Sequence, residues 1–538
     1  MTHPKARKQD MSKDAAWPTK TTAKRSVKRL ELNRLVAEFL LLTLLTLSCR
    51  LPFFFKSVID WDESTFILIG QSILDGHLPY TQLWDLKPPF LYGFFSLAIL
   101  LFGKTIASVR LAGALVVALT AFVVNRIMQR LWTVRAGWLA GVLSVLMISV
   151  LPGGQSVMSE HLAILPMALA LWLLVARDAT TTSLFYSGLL ISTAAMVRLN
   201  LAYVAVGVGL YLLAIGLNQP LGKQVRAIFA YSLGGIVPIF LGFLPYWIVG
   251  IPQVWWTSVV VSSFYRANTG LESHKVAASF IRKILEYVWS WHGFGLQILF
   301  WLGAIASIRH IMKRRAQLQP KQQFGWALVI VFTLTIQISI LNGGLDHAHY
   351  LIQLVPFLAM FSSVFAESII RRSRRTFTVV VLLLCLGVYP VFDQYAILAP
   401  RLLAGTQLDR SSTRLVADYL LDQGLEDRSI YMMNQHLAYW YLGTYPLTRS
   451  TTHPSTIARD YLLQILYGPN WSSPQEMRRL LDLKPDVIVK KDTLFYLADQ
   501  PETVEILETA IAQNYTFIHS VKGLKIYTVK GLSAANHK

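Results

Sequence analysis

Largely apolar runs recur along this chain with short basic segments between them, and a helix that crosses a bilayer needs about 20 such residues. Candidates lie near 35–55, 107–130, 137–155, 161–176, 184–197, 199–217, 226–249, 293–309, 324–341, 349–367 and 376–397. Composition agrees: 54% of the 538 residues are hydrophobic and 15% are charged, with mean hydropathy +0.45. A soluble domain of this size could not cover so much apolar surface with so few charges, so lipid is the solvent for most of the chain. The net charge of +20 would suggest nucleic acid in a soluble protein. Here the Lys and Arg residues sit between apolar runs, where they encode topology, and no nucleic-acid partner is expected. Cys49 and Cys385 each fall inside an apolar run and read as packing residues.

Residues 1–34 carry ten Lys/Arg against three acids, with no apolar run and no small-residue cleavage site. They read as a disordered basic tail that stays in the cytoplasm. The first helix then delivers residues 56–106 to the outer side. The run from Pro88 to Phe102 is short for a span and opens on Pro-Pro. Taken as a helix lying on the membrane, it leaves Arg126, Arg130, Arg135, Arg177, Lys223, Arg226, Arg309–Lys321 and Arg371–Arg375 all inside, as the charge rule asks. The fold class expected is therefore a polytopic α-helical membrane protein of about eleven spans. Its outward segments are 56–106, the 152–160 turn, the Arg198 turn, 250–292, 342–348 and everything after about 398. Trp255, Trp256, Trp289 and Trp291 suit an aromatic belt at that interface.

Composition changes after residue 400. Helical patterns at 412–423, 475–483 and 501–513 mix with strand patterns at 429–433, 486–490, 515–520 and 524–529, the last two joined through Lys522-Gly523 as a hairpin. The expected organisation is a tail over 1–34, a transmembrane module over 35–399 with its outer loops, and an extracytoplasmic soluble α/β domain over 400–538.

Chemistry-bearing residues gather in the outward turns. The first outer loop reads Asp60-Trp61-Asp62-Glu63-Ser64, then Asp75-Gly76-His77, then Trp84-Asp85-Leu86-Lys87-Pro88-Pro89. Apolar Phe66, Ile67, Ile69 and Ile73 follow the acids, as in a short helix on the bilayer with carboxylates at its N-terminus. Pro-Pro fixes the backbone beside Lys87 and aims its ammonium. Ser159-Glu160-His161 places an acid in the next outward turn, although a helix N-terminus favours Glu by dipole alone. Arg198, with Asn200, interrupts an apolar stretch, where a charge is costly unless functional or paired. His347 and His349 form a His-x-His, but two ligands do not make a metal site. No Gly-rich phosphate loop follows a predicted strand, which argues against a soluble nucleotide-activated donor. A carboxylate and cations at one interface suit a membrane-anchored substrate with a reactive head at headgroup depth.

At Trp61-Asp62-Glu63, Lys87-Pro88-Pro89, Ser159-Glu160-His161 and His349-Tyr350 the chain resembles the GT-C superfamily of membrane glycosyltransferases. The resemblance is nearest to the bacterial branch that includes the lipid A aminoarabinose transferase and the protein O-mannosyltransferase relatives, and covers roughly residues 35–400. It implies a catalytic carboxylate at Asp62 with Glu63 beside it, and a second-loop acid at Glu160, where relatives more often carry Asp. It implies donor-phosphate contacts at Lys87 and Arg198, with His349 and Tyr350 at the late outer loop. Phe66 stands where relatives usually have Tyr, and the C-terminal domain carries no motif assignable to the family. The function so implied is an inverting hexosyl- or pentosyltransferase of the plasma (inner) membrane. Its donor would be a polyprenyl-phosphate sugar and its acceptor a lipid, glycan or protein on the outer face. No cofactor is required; a divalent cation stays open. The rival is a transporter or flippase of a lipid-linked saccharide, which should carry polar residues deep in its spans and broken helices in two matching halves.

Overall fold

A computed structural model describes residues 20–176, 179–217, 219–269, 282, 294–342 and 347–532. Among these, seven helices are long and apolar enough to cross a membrane, or eight if the bent pair Arg374–Gly387 and Tyr389–Leu403 counts as one span. The long apolar helices are α1 (Lys20–Arg50), α4 (Ile106–Leu131), α6 (Ser159–Ala176), α9 (Leu221–Ile248) and Pro320–Asn342; α8 (Ala202–Gly216) and Val355–Ile370 reach span length with the turns before them. Between them lie α5 (Val134–Val150) and α7 (Thr181–Ala195), which are shorter. The eleven runs marked from sequence thus include several helices below the length of a single crossing.

Two helices precede α4: α2 (Trp61–Leu74) and α3 (Pro89–Phe102), each of 14 residues. At 1.5 Å per residue either covers about 21 Å, short of the roughly 30 Å hydrocarbon core. The two pack through Gly70, where a Cβ would stand 2.7 Å from Phe95 Cβ and 2.9 Å from Ser96 N. Only a hydrogen at that position lets α2 and α3 approach this closely.

The same device joins α7 to α9. A Cβ on Gly234 would lie 1.9 Å from the Phe185 carbonyl oxygen, and one on Gly188 would lie 2.1 Å from that of Tyr231. Small residues that admit close backbone approach are the usual basis of helix association in lipid, where apolar side chains gain little by leaving the solvent. The opposing atoms are backbone and cannot turn aside. Gly234→Ala is expected to lose roughly 1–3 kcal/mol or more, seen as a lower unfolding temperature of the detergent-purified protein than wild type.

The tail differs from its expectation. Helix α1 begins at Lys20, so residues 20–34, expected to be disordered, are helical; residues 1–19 lie outside the described set. Lys, Arg, Leu and Glu dominate that stretch and no Pro or Gly interrupts it, so the helix extends back from the apolar run.

Residues 42–538 form one compact unit. The C-terminal region contains helices Ser412–Asp422, Ser473–Asp482 and Pro501–Asn514 and strands β1 (Ile430–Met432), β2 (Val487–Lys491), β3 (Tyr515–Val521) and β4 (Leu524–Val529). The sheet order is β1-β2-β4-β3, with β1 parallel to β2 and the other pairs antiparallel. Lys522 and Gly523 both have positive φ, 48° and 77°, as a tight hairpin turn requires. This region is docked on the first long loop and is not a free appendage. Ser57 donates to Asp409 and shares a bond with Tyr441, Trp440 Nε1 donates to Gln71, Tyr445 donates to Asp75, and Trp84 N donates to Thr452 Oγ1.

Candidate active site

Asp60 caps α2, its carboxylate accepting from the Asp62 N–H at 2.9 Å. The cap fixes where the helix begins, and with about 100° between successive residues it sends Asp62 and Glu63 to different faces. Asp62 keeps 31% of its side-chain surface exposed. Its Oδ2 lies 3.8 Å from Lys87 Nζ and its Oδ1 lies 3.5 Å from His453 Nε2. Burial would raise the Asp62 carboxyl, but the charge of Lys87, followed by the hydrogen bond from His453, outweighs it and holds the group well below its ordinary 3.8. It is therefore a carboxylate at any physiological pH.

Glu63 is set apart. Its side chain is 1% exposed and pairs with the fully buried Arg110, Oε2 to Nη2 at 2.7 Å. Its Oε1 takes Arg110 Nε at 3.2 Å and the Val157 N–H at 2.7 Å. Arg110 also donates to the carbonyls of Phe53, Lys56 and Ser57. Both oxygens of Glu63 are thus engaged by Arg110 and the Val157 N–H, and they tie α2 to α4 and to the turn before α6. Arg50 works in parallel, donating to the carbonyls of Gly154, Gln155 and Ser156.

Lys87 is placed by the Pro-Pro that follows it. Pro88 takes the extended N-cap geometry of α3 and Pro89 the first helical position, where its missing N–H costs nothing. The Lys87 carbonyl accepts from Tyr80 O–H at 2.5 Å, and its side chain, only 11% exposed, is directed at Asp62.

Glu160 is buried in the first turn of α6 and pairs with Arg198 Nη1 at 2.8 Å. Ser159 Oγ accepts from Arg198 Nη1 at 2.9 Å and donates to Glu160 Oε2 at 3.0 Å. His349 Nε2 is 3.7 Å from Glu160 Oε1. The Arg198 guanidinium lies 4.5 Å from the centre of the Tyr350 ring. Glu160 has no exposed surface, and its carboxylate faces the Arg198 guanidinium. Arg198 sits where α7 ends and a short 3-10 turn, Leu199–Leu201, begins.

Lys87, Arg198 and Tyr350 line one cavity of about 310 Å³ together with Asn200, Tyr203, Phe264 and Ile340. Asn200 Nδ2 donates to Ser339 Oγ at 2.6 Å, while its buried Oδ1 has no hydrogen-bond partner. The cavity lining thus combines two cations, Lys87 and Arg198, with apolar groups such as Leu86, Phe264 and Ile340.

Sequence inspection missed His453 and His436. His436 Nε2 lies 2.9 Å from Thr65 Oγ1, one turn along α2 from Asp62. The rings of His453 and His436 approach Trp61 at 6.0 and 6.3 Å. These contacts join residues almost 400 positions apart, and nothing local in Thr452-His453-Pro454 announces them. Lys275, Lys283, Trp289 and Trp291 of the outward 250–292 segment lie outside the described residues. Among the described residues no group of three or more His, Cys, Asp or Glu is placed to hold a metal ion.

Asp60 carries a pH signature of its own. Burial, and then the charge of Asp62, push its carboxyl up to about 7, against the lowering by its bond to the Asp62 N–H. The folded protein holds this proton more tightly than the unfolded chain. The group's contribution to stability is thus intact below its ordinary 3.8 and is lost as pH rises through about 7. Asp60→Asn keeps an oxygen for the cap but never ionises. Unfolding temperatures measured from pH 5 to 8 are expected to fall less in the variant than in wild type.

Residues 86–248 match the family model of the dolichyl-phosphate-mannose-protein mannosyltransferases. No curated protein sequence matches the chain. Over more than nine-tenths of its length, however, the chain shares the fold of solved membrane-protein structures. It is similar to ArnT from Cupriavidus metallidurans in the apo state: TM-score 0.58, 13% identity, covering 92% of this chain and 98% of that one. The same enzyme bound to undecaprenyl phosphate matches with TM-score 0.52 and 15% identity over 93% of this chain and 98% of that one. The oligosaccharyltransferase of Archaeoglobus fulgidus, in the apo form, matches with TM-score 0.50 and 12% identity over 94% of this chain and 75% of that one.

Proposed function

We propose that this chain is an inverting glycosyltransferase that moves a sugar from a polyprenyl-phosphate donor to an acceptor at the non-cytoplasmic face of the plasma membrane. The observation that carries the reading is one cation, Lys87, shared between two partners. It is ion-paired to the exposed carboxylate of Asp62 and lines the cavity that Arg198 and Tyr350 also line. A phosphate seated between Lys87 and Arg198 would set its anomeric carbon near Asp62. The apolar lining residues of the cavity, Phe264, Ile340 and the Tyr203 ring, suit the first isoprene units. The Cupriavidus ArnT structure with undecaprenyl phosphate supports this class of donor.

The chemistry follows from the parts. An acceptor O–H or N–H attacks the anomeric carbon on the face opposite the phosphate; the new bond forms as the bond from that carbon to the phosphate oxygen breaks. Asp62 accepts the acceptor's proton, and the polyprenyl phosphate departs with the electron pair. Charge grows on that phosphate in the transition state, where Lys87 and Arg198 stabilise it. Glu160, His349 and Tyr350 keep the Arg198 guanidinium in place. Two cations suffice for the charge of the leaving group, so the mechanism assigns no step to a divalent ion. The acceptor is a lipid, glycan or protein bearing a hydroxyl or amine.

The test is transfer in proteoliposomes from radiolabelled polyprenyl-phosphate sugars to acceptors in a membrane extract. Labelled, inverted product supports the reading. Labelled lipid crossing the bilayer with no product would replace it with the transporter reading.

A further inference from the structure

We infer that His453, supplied by the C-terminal region, is a positioning residue for the catalytic carboxylate, so that the site is complete only with that region docked on α2. This rests on reading Asp62 as the base. The ring's orientation can be worked out from its partners. His453 Nδ1 faces the backbone N–H of Ser455 at 3.2 Å, a group that can only donate, and the Ser455 hydroxyl at 2.9 Å. In the neutral ring Nδ1 is therefore the acceptor, and the proton sits on Nε2. That N–H faces Asp62 Oδ1 at 3.5 Å.

The ring has little freedom to do otherwise. Its residue is the N-cap of the short helix Pro454–Ala458. The segment before it is tied to the first outer loop, where the Thr452 hydroxyl accepts from Trp84 N–H at 3.1 Å. Trp61 packs edge-on against the ring, and the His436 ring lies 5.7 Å away, itself bonded to Thr65 of α2.

The consequence concerns how Asp62 divides its two oxygens. Lys87 takes Oδ2 and His453 takes Oδ1. Without a donor on the His453 side, nothing fixes the torsion of the carboxylate: Oδ1 loses its aim at the acceptor while Oδ2 stays on Lys87. Misplacement of a reacting group by about 1 Å can cost on the order of 10²-fold in rate. Because the donor cavity is lined by other elements, its affinity for donor should be little changed.

The experiment uses the full-length protein in proteoliposomes, with wild type, His453→Ala, His453→Gln, Asp62→Asn and the Asp62→Asn/His453→Ala double variant. Gln carries an amide N–H at nearly the reach of His Nε2. Expected is a fall in kcat of about 10²-fold for His453→Ala with the donor KM within twofold. His453→Gln should recover most of the rate, and the double variant should retain the residual rate of Asp62→Asn. The inference is overturned if His453→Ala turns over like wild type, if Gln is as damaging as Ala, or if His453→Ala reduces the Asp62→Asn residual rate by its full factor. A wild-type rate in Asp62→Asn would instead overturn the assignment of the base, which separates the two failures.

Discussion

Asp62→Asn is expected to lower kcat by about 10²–10⁴-fold, the usual contribution of a positioned general base, while the donor KM stays near wild type. The substitution is nearly isosteric, and the Asp62 backbone N–H still reaches the Asp60 cap, so α2 should start where it does now. The lost element is the ionised oxygen, which Lys87 and His453 hold as a carboxylate. An amide cannot take the acceptor's proton. Lys87 also loses a counter-charge, which leaves it freer toward the donor phosphate. A lower kcat with unchanged or tighter donor binding is therefore the pattern to look for in initial rates over a range of donor concentrations. A raised donor KM with unchanged kcat would make Asp62 a donor-binding group and reopen the choice of base. The depressed carboxyl bears on pH as well. Wild-type kcat/KM should show no acid limb from Asp62 above its ordinary 3.8, since the group stays ionised down to lower pH.

The sequence was most informative where structure is locally encoded. Lys522-Gly523 announces the β3–β4 hairpin because both residues must adopt positive φ. Pro88-Pro89 announces the start of α3 because proline belongs at a helix's first position. Asp62, Lys87, Arg198 and Tyr350 were all legible as polar residues at the ends of apolar runs, where a charge needs a reason. Their convergence was not legible, because it depends on how α2, α3 and α7 cross, and those crossings are set by glycines such as Gly70, Gly188 and Gly234. His453 was illegible for a plainer reason: its meaning lies in a contact with a residue almost 400 positions away. Span counting was limited by helices such as α3 and α5, whose hydropathy resembles a span's but whose length does not.

Glu63 shows how far two adjacent acids can diverge. Glu63→Ala should leave little folded protein, because it strands the Arg110 guanidinium where no water reaches it. Removing one partner of a buried pair costs about 3–5 kcal/mol, a large share of the roughly 5–15 kcal/mol that holds a domain folded. The Val157 N–H also loses its acceptor at 2.7 Å, which loosens the turn carrying Ser159 and Glu160. Arg110→Met should be comparably damaging, since it releases the carbonyls of Phe53, Lys56 and Ser57 along with Glu63. The two losses share one network, so the double variant should be no worse than about the poorer single variant and clearly better than their sum. Unfolding temperatures and yields of monodisperse protein in detergent check this. One signal in the sequence pointed that way: Arg110 lies in the first turns of a helix whose next charge is Arg126, and an arginine on such an apolar stretch requires a counter-charge. If Glu63→Ala were to fold like wild type yet lose activity as completely as Asp62→Asn, Glu63 would belong to the chemistry after all. A destabilised protein whose folded fraction still transfers sugar would fix its role as the strut that holds Asp62's helix against α4.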